Sequence, residues 1–216
     1  METISEKETK VDVAKERKEL INSVMSKLEK NEYNIFIYCP AMDAPSGGIS
    51  VLFKHAKVLK DAGYNVKVIY EPKQNHKASL EATKKSRQKG QQEPSLVFDK
   101  FNPSWLGELT KDIEMRCLAD GKVNFTDGTS ETYDTLLMNA EDIMIIPEGF
   151  PNVMESTAQL PCKRVVFAQS WYYVLNGLKV GQKWQHFGVK DVISISDGIT
   201  EYLNTIMPGL NIKNYK

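Results

Sequence analysis

Cysteine is scarce in this chain: Cys39, Cys117 and Cys162 are far apart, and no CxxC pair occurs. Cys39 and Cys162 fall in or beside apolar runs, which suits buried thiols and argues against a disulfide framework or a zinc site built on them. Histidine is equally sparse, with only His55, His76 and His186, and no two of them are spaced as metal ligands. Neither charge sign prevails, since 28 basic residues balance 28 acidic ones. The chain as a whole therefore has no electrostatic bias toward nucleic acid, which is not expected as a partner. No apolar run approaches the roughly 20 residues of a membrane span, and charged residues begin at Glu2, where an apolar leader would lie. A cytoplasmic protein is the expectation. Also missing are a GxGxxG dinucleotide fingerprint, a Gly-Lys-Ser/Thr phosphate loop and a G-x-S-x-G nucleophile elbow. No metal and no cofactor is called for.

What is present is organised around residues 35–70. The apolar run Ile35 to Cys39 reads as a buried parallel strand. A loop rich in Pro, Ser and Gly follows and ends in Gly47-Gly48. Val51, Leu52, Ala56, Val58 and Leu59 then recur at helical spacing until Gly63, and Asn65 to Tyr70 reads as a second strand. This strand–loop–helix–strand unit places paired glycines at a helix N-terminus, where free N–H groups and the helix dipole favour an anion.

Residues 1–30 carry apolar positions from Val13 to Leu28 at helical spacing and read as an N-terminal helical arm preceding a domain over 33–210. Residues 71–94 hold Lys73, Lys77, Lys84, Lys85, Arg87 and Lys89 with few apolar residues, and read as a long basic insertion loop. Such a loop is either a solvated connection or a flap meeting an anionic or lipid-linked substrate, which allows peripheral contact with a membrane. Ser95 to Phe98 suggests a short strand, the segment around Trp105 to Met115 has no clear pattern, and Thr126-Asp127-Gly128-Thr129 suggests a hairpin turn. Strands are expected over Asp142–Pro147, Arg164–Ala168 and Asp191–Ile195. Helices are expected over Val153–Leu160 and after Ser196-Asp197-Gly198.

Alternating strands and helices mean an α/β fold, a Rossmann-like, doubly wound, mostly parallel sheet. Ligands of such sheets bind beyond the carboxyl ends of the strands. The candidate rim comprises Pro40 to Gly48, Glu148 to Asn152, Gln169 to Trp171 and Ser196 to Gly198.

The apolar strand, the Pro-Ser-Gly-Gly loop, His55-Ala56-x-x-Leu59-x-x-x-Gly63 and the late run Asp191-Val192-Ile193-Ser194-Ile195-Ser196-Asp197-Gly198 together resemble the N-terminal half of a GT-B glycosyltransferase of the family-4-like group. The resemblance covers Tyr33–Tyr70 and Asp142–Pro208. It implies the acceptor-side domain of an enzyme that moves a sugar from a nucleotide-sugar donor, with retention, onto a carbohydrate or lipid-linked acceptor. By position it implies a donor-phosphate and acceptor site at Ser46, Gly47, Gly48, Glu148, Gly149, Gln169, Ser170, Trp171 and Ser196. Where that family often has a histidine, Gln169-Ser170-Trp171 stands here, and Trp171, Tyr172 and Tyr173 suit either sugar stacking or an interface. The family's C-terminal donor-binding domain is not matched, so a separate domain or chain is expected to supply it, and the half-enzyme is expected to be inactive alone. Two other readings stay open. One is a non-catalytic carbohydrate-binding or partner module, such as a subunit of a split transferase; the other is a nucleotide-dependent oxidoreductase, which the missing GxGxxG disfavours.

Overall fold

A computed structural model describes residues 33–42, 44–90 and 95–214. The expected N-terminal arm lies outside the described residues. The chain forms β1 (Asn34–Tyr38), α1 (Gly47–Asp61), β2 (Asn65–Tyr70), β3 (Lys73–Gln74), α2 (His76–Gln88) and β4 (Val97–Asp99). A 3-10 segment (Ser104–Thr110) leads to β5 (Glu114–Cys117), β6 (Gly121–Phe125), β7 (Ser130–Tyr133) and β8 (Ile143–Pro147). Then follow α3 (Pro151–Ser156), β9 (Lys163–Ala168), β10 (Asp191–Ser194), α4 (Asp197–Ile206) and β11 (Asn211–Asn214).

Seven strands make one sheet in the order β11-β10-β9-β8-β1-β2-β5, with every neighbouring pair parallel. The fold is α/β and Rossmann-like, as the alternating pattern implies. Its inner strands are apolar on both faces. Phe36, Ile37, Tyr38, Val68, Ile69, Met144, Ile146, Val166 and Phe167 are all buried, as a parallel sheet covered on two sides requires. β1 pairs with β2 on one side (Ile37 opposite Val68) and with β8 on the other (Ile37 opposite Ile145). The strand order reverses between β1 and β8. Loops leaving their carboxyl ends diverge to opposite faces, and a crevice opens between them. A second sheet, β3-β4-β6-β7, contains the expected hairpin, with Val123 opposite Glu131 around the Asp127-Gly128 turn.

The start of β1 is held by one carboxylate. Asp142 is buried, and its Oδ1 accepts the backbone N–H of Asn34 at 2.7 Å and the Asn34 side-chain amide at 3.0 Å. Its Oδ2 accepts the Asn139 N–H at 2.8 Å. At the end of α1, Gly63 takes φ +92°, with its N–H on the Lys60 carbonyl and the Tyr64 N–H on the Leu59 carbonyl. That paired arrangement ends the helix, and the left-handed residue it needs is most cheaply a glycine.

The basic stretch 71–94 corrects the sequence reading: most of it is helix, not loop. Asn75 caps α2 by accepting the Ala78 N–H at 3.0 Å. The inward face of α2 docks through hydroxyls. Ser79 Oγ donates to the Val97 carbonyl at 3.2 Å and accepts the Val97 N–H at 2.9 Å, and Thr83 Oγ1 accepts the Ser95 N–H at 3.0 Å. A helix seated this way has no apolar stripe to read. The patternless segment after Trp105 contains β5, and β11 follows α4; both are polar strands at the two edges of the large sheet. α3 is shorter than expected, ending at Ser156. Among the described residues no helix is long and apolar enough to cross a membrane.

Removing the Asp142 carboxylate leaves two backbone N–H groups near β1 without acceptors. Asp142→Ala is expected to cost about 3 kcal/mol in urea denaturation at neutral pH, and Asp142→Asn distinctly less, because one acceptor oxygen remains.

Candidate functional site

A cleft of about 630 Å3 occupies the crevice between the ends of β1 and β8. Its lining includes Pro40, Met42, Ser46, Gly47, Gly48 and Ile49 from β1 and α1. Glu148, Gly149 and Phe150 come from the loop after β8; Gln169, Ser170, Tyr173 and Asn176 come from the segment after β9. Seven of the nine expected site residues therefore meet in one cavity: Ser46, Gly47, Gly48, Glu148, Gly149, Gln169 and Ser170. Two do not. Trp171 projects outward and is 62% exposed, and the Ser196 hydroxyl is used within its own helix.

The two helix N-termini on this rim differ. Ser196 caps α4 by accepting the Ile199 N–H at 3.3 Å, and Asp197 adds a negative charge to the first turn. That end is satisfied from within. At α1 the Ser46 side chain makes no capping hydrogen bond, and the first turn contains no acid. Helix geometry leaves the Gly47, Gly48 and Ile49 amides without intrahelical acceptors, because the first such bond runs from the Ser50 N–H to the Ser46 carbonyl. Gly48 has space around it. A Cβ built there would lie 3.8 Å from Gln169 Oε1 and 3.9 Å from Ser46 Oγ, so glycine keeps the helix end open to the cleft without relieving any clash.

Two acceptor side chains line the same cleft. Glu148 is only 6% exposed, and its Oε2 is buried with no hydrogen-bond partner. Burial pushes its carboxyl above the usual glutamate range, against the pull of the backbone N–H groups of Gln169, Glu148 itself and Ser170. Gln169 Oε1 is likewise buried without a partner. Two orphaned acceptor oxygens in residues lining one cavity call for donors from a ligand or water, since leaving them dry costs free energy. Gly149 takes φ +83°, and a Cβ there would press on the Tyr173 carbonyl at 3.3 Å. This glycine lets the Glu148 loop lie flat against the Tyr173–Asn176 turn.

Met42 and Phe150, both within the candidate rim, also line the cleft, as do Val51, Leu52, Pro147, Asn176 and Ile195, which lie outside that rim. Pro147 and Ile195 sit next to residues that the rim rule selects; Asn176 carries no local signal, because only the fold of the 170–183 segment brings it in. His55 lies off the cleft lining, its Nδ1 3.0 Å from the Val51 carbonyl and its ring 4.6 Å from the Phe167 ring. Among the described residues no group of His, Cys, Asp or Glu is arranged to hold a metal ion. Comparison with known proteins returns no match to a family model, a curated protein or a solved structure.

The raised Glu148 carboxyl carries a signed consequence. Its folded pKa lies above the unfolded value, so ionised Glu148 opposes folding. The penalty is absent below the unfolded pKa, grows as pH rises through the folded pKa, and is full above it. Glu148→Gln is expected to raise the melting temperature at neutral pH. Differential scanning calorimetry across pH should show the gain shrinking as pH falls into and below the ordinary glutamate range.

Proposed function

We propose that residues 33–214 form the acceptor-side wall of a glycosyltransferase that uses a nucleotide-sugar donor. The carrying observation is the make-up of the cleft: an uncapped glycine-paired helix N-terminus shares it with a buried carboxylate that has an unpartnered oxygen. A ligand matching both features pairs an anion with hydroxyl donors, which describes a sugar or polyol beside a phosphate. Glu148 and Gln169 accept hydrogen bonds from sugar hydroxyls, and the amides of Gly47 and Gly48 approach a donor phosphate oxygen. The resemblance of residues 33–70 and 142–208 to the family-4-like N-terminal domain supports the same reading.

The cleft lining contains no Lys or Arg among the described residues. A nucleotide diphosphate carries more charge than one helix end offsets, an end being worth about half an elementary charge. The cations and the base-binding surface are therefore assigned to a second wall, supplied by another domain or chain. On its own this wall binds weakly and turns over little. Its contribution to catalysis is positioning of the acceptor and stabilisation of charge on the leaving phosphate by fixed amide dipoles.

Isothermal titration with sugar phosphates and nucleotide-sugars tests this reading. The wild-type chain is expected to bind a member of these classes. Gly48→Val places a branched side chain over the α1 amides and should weaken that binding by about tenfold or more, equivalent to about 1.4 kcal/mol. Gly48→Ala should have a smaller effect, because its Cβ fits without a clash. Equal affinity in all three proteins, or no binding of any sugar phosphate or nucleotide-sugar, would sink the assignment.

A further inference from the structure

The strongest unexplained surface is the outer rim of the cleft. Four rings form a row there: Tyr173 to Tyr172 at 5.2 Å, Tyr172 to Trp171 at 6.1 Å and Trp171 to Tyr202 at 6.4 Å between centroids. Trp171, Tyr172 and Tyr173 are 62%, 70% and 52% exposed, and Leu175 and Val180 on the same segment are exposed as well. Large side chains are seldom left in water as a contiguous ledge unless something covers it. Tyr173 belongs to both the ledge and the cleft lining, so the apolar surface leads into the cavity.

The charge of the segment that carries Trp171, Tyr172 and Tyr173 is one-sided. From Ser156 to Lys190 the chain has no Asp or Glu, while Lys179 and Lys183 flank Val180. The acids at the Tyr202 end, Asp197 and Glu201, belong to α4. A second basic element starts at the same edge of the sheet. The large sheet is parallel throughout, so the segments following β2 and β9 leave it at one edge, and α2 begins shortly after β2. α2 and its cap expose Lys77, Lys84, Lys85, Arg87 and Lys89, with Glu81 as their lone acid and Leu80 exposed among them.

We propose that this rim seats on an anionic phospholipid bilayer. Trp171, Tyr172 and Leu175 enter the interfacial zone, where indole and phenol rings partition well, and the basic residues of 179–183 and α2 meet lipid phosphates. Weak apolar insertion and weak electrostatic attraction together give the two-signal binding that a peripheral protein needs. Leu175 and Val180, exposed on the same segment, distinguish this from a nucleic-acid surface, because aliphatic side chains offer a base no stacking face. The seating delivers a lipid-linked acceptor to the mouth of the cleft. The acceptor's class rests on the transferase reading; the seating itself does not.

The test is co-sedimentation of the full chain with phosphatidylcholine vesicles with and without phosphatidylglycerol, read together with tryptophan emission. Binding is expected with the anionic vesicles, with a blue shift lost in Trp171→Phe. Partitioning should fall about tenfold or more in Trp171→Ala/Tyr172→Ala, and by a similar factor in Lys84→Glu/Lys85→Glu/Arg87→Glu or at high salt. All five positions are solvent-facing, and unchanged melting temperatures verify that the variants fold. Glu148→Gln should retain wild-type vesicle binding, which separates failure of the seating from failure of the transferase reading. The proposal is overturned by absence of binding to anionic vesicles, by binding indifferent to the aromatic pair, or by concentration-dependent dimerisation that buries Trp171 in lipid-free solution.

Discussion

The buried carboxylate of Asp142 ties together the two strands between which the sheet changes direction. It sits just before β8 and accepts the first backbone N–H of β1, so the beginnings of both strands are locked at the closed end of the sheet. Fixing that end also fixes the position of the other, because β1 and β8 then run side by side in a set register, with Ile35 opposite Ile143 and Ile37 opposite Ile145. The cleft at their carboxyl ends is the geometric result. It opens because the chain winds outward in opposite senses from this one strand pair.

The chemistry of the cleft follows from which polar groups the protein itself satisfies. α4 closes its N-terminus with Ser196 and Asp197, whereas α1 presents glycines and leaves its amides to the cavity. In the same cleft, Glu148 is held by backbone N–H groups through only part of its carboxylate, and one oxygen is left buried and unmatched. An unpaired acceptor in a low-dielectric wall is unfavourable for the empty protein and favourable for a hydroxyl-bearing ligand that fills it. The same site thus trades folding stability for recognition, which is why burial and raised proton affinity coincide at Glu148.

The rim extends this division of labour outward. Rings that would pack well in a core stand in solvent beside the cavity, on the segment that follows β9. That placement is inherited from the sheet: every strand of the large sheet delivers its following segment to one edge, so binding surface accumulates there.

The inner strands, α1 and α4 were legible from the residues alone. Strands buried on two faces must be apolar throughout, and α1 must alternate where it packs, so Phe36–Tyr38, Asn65–Tyr70 and Leu52–Ala56 announce themselves. The edge strands β5 and β11 were not, because at the sheet's margins the layers cover them less fully, and Glu114, Arg116, Asn211 and Lys213 remain at least partly exposed on one face. α2 escaped for a different reason: its contacts are hydroxyl hydrogen bonds from Ser79 and Thr83, invisible to any hydrophobic period. By itself the sequence determined the fold class, the glycine-bearing helix start and most of the rim, since these depend on local periodicity and chain order. Only the tertiary structure decided which rim residues converge. It brought Tyr173 and Asn176 inward, turned Trp171 outward, and left Glu148 Oε2 without a partner, because burial and hydrogen-bond satisfaction depend on contacts between segments distant in the chain.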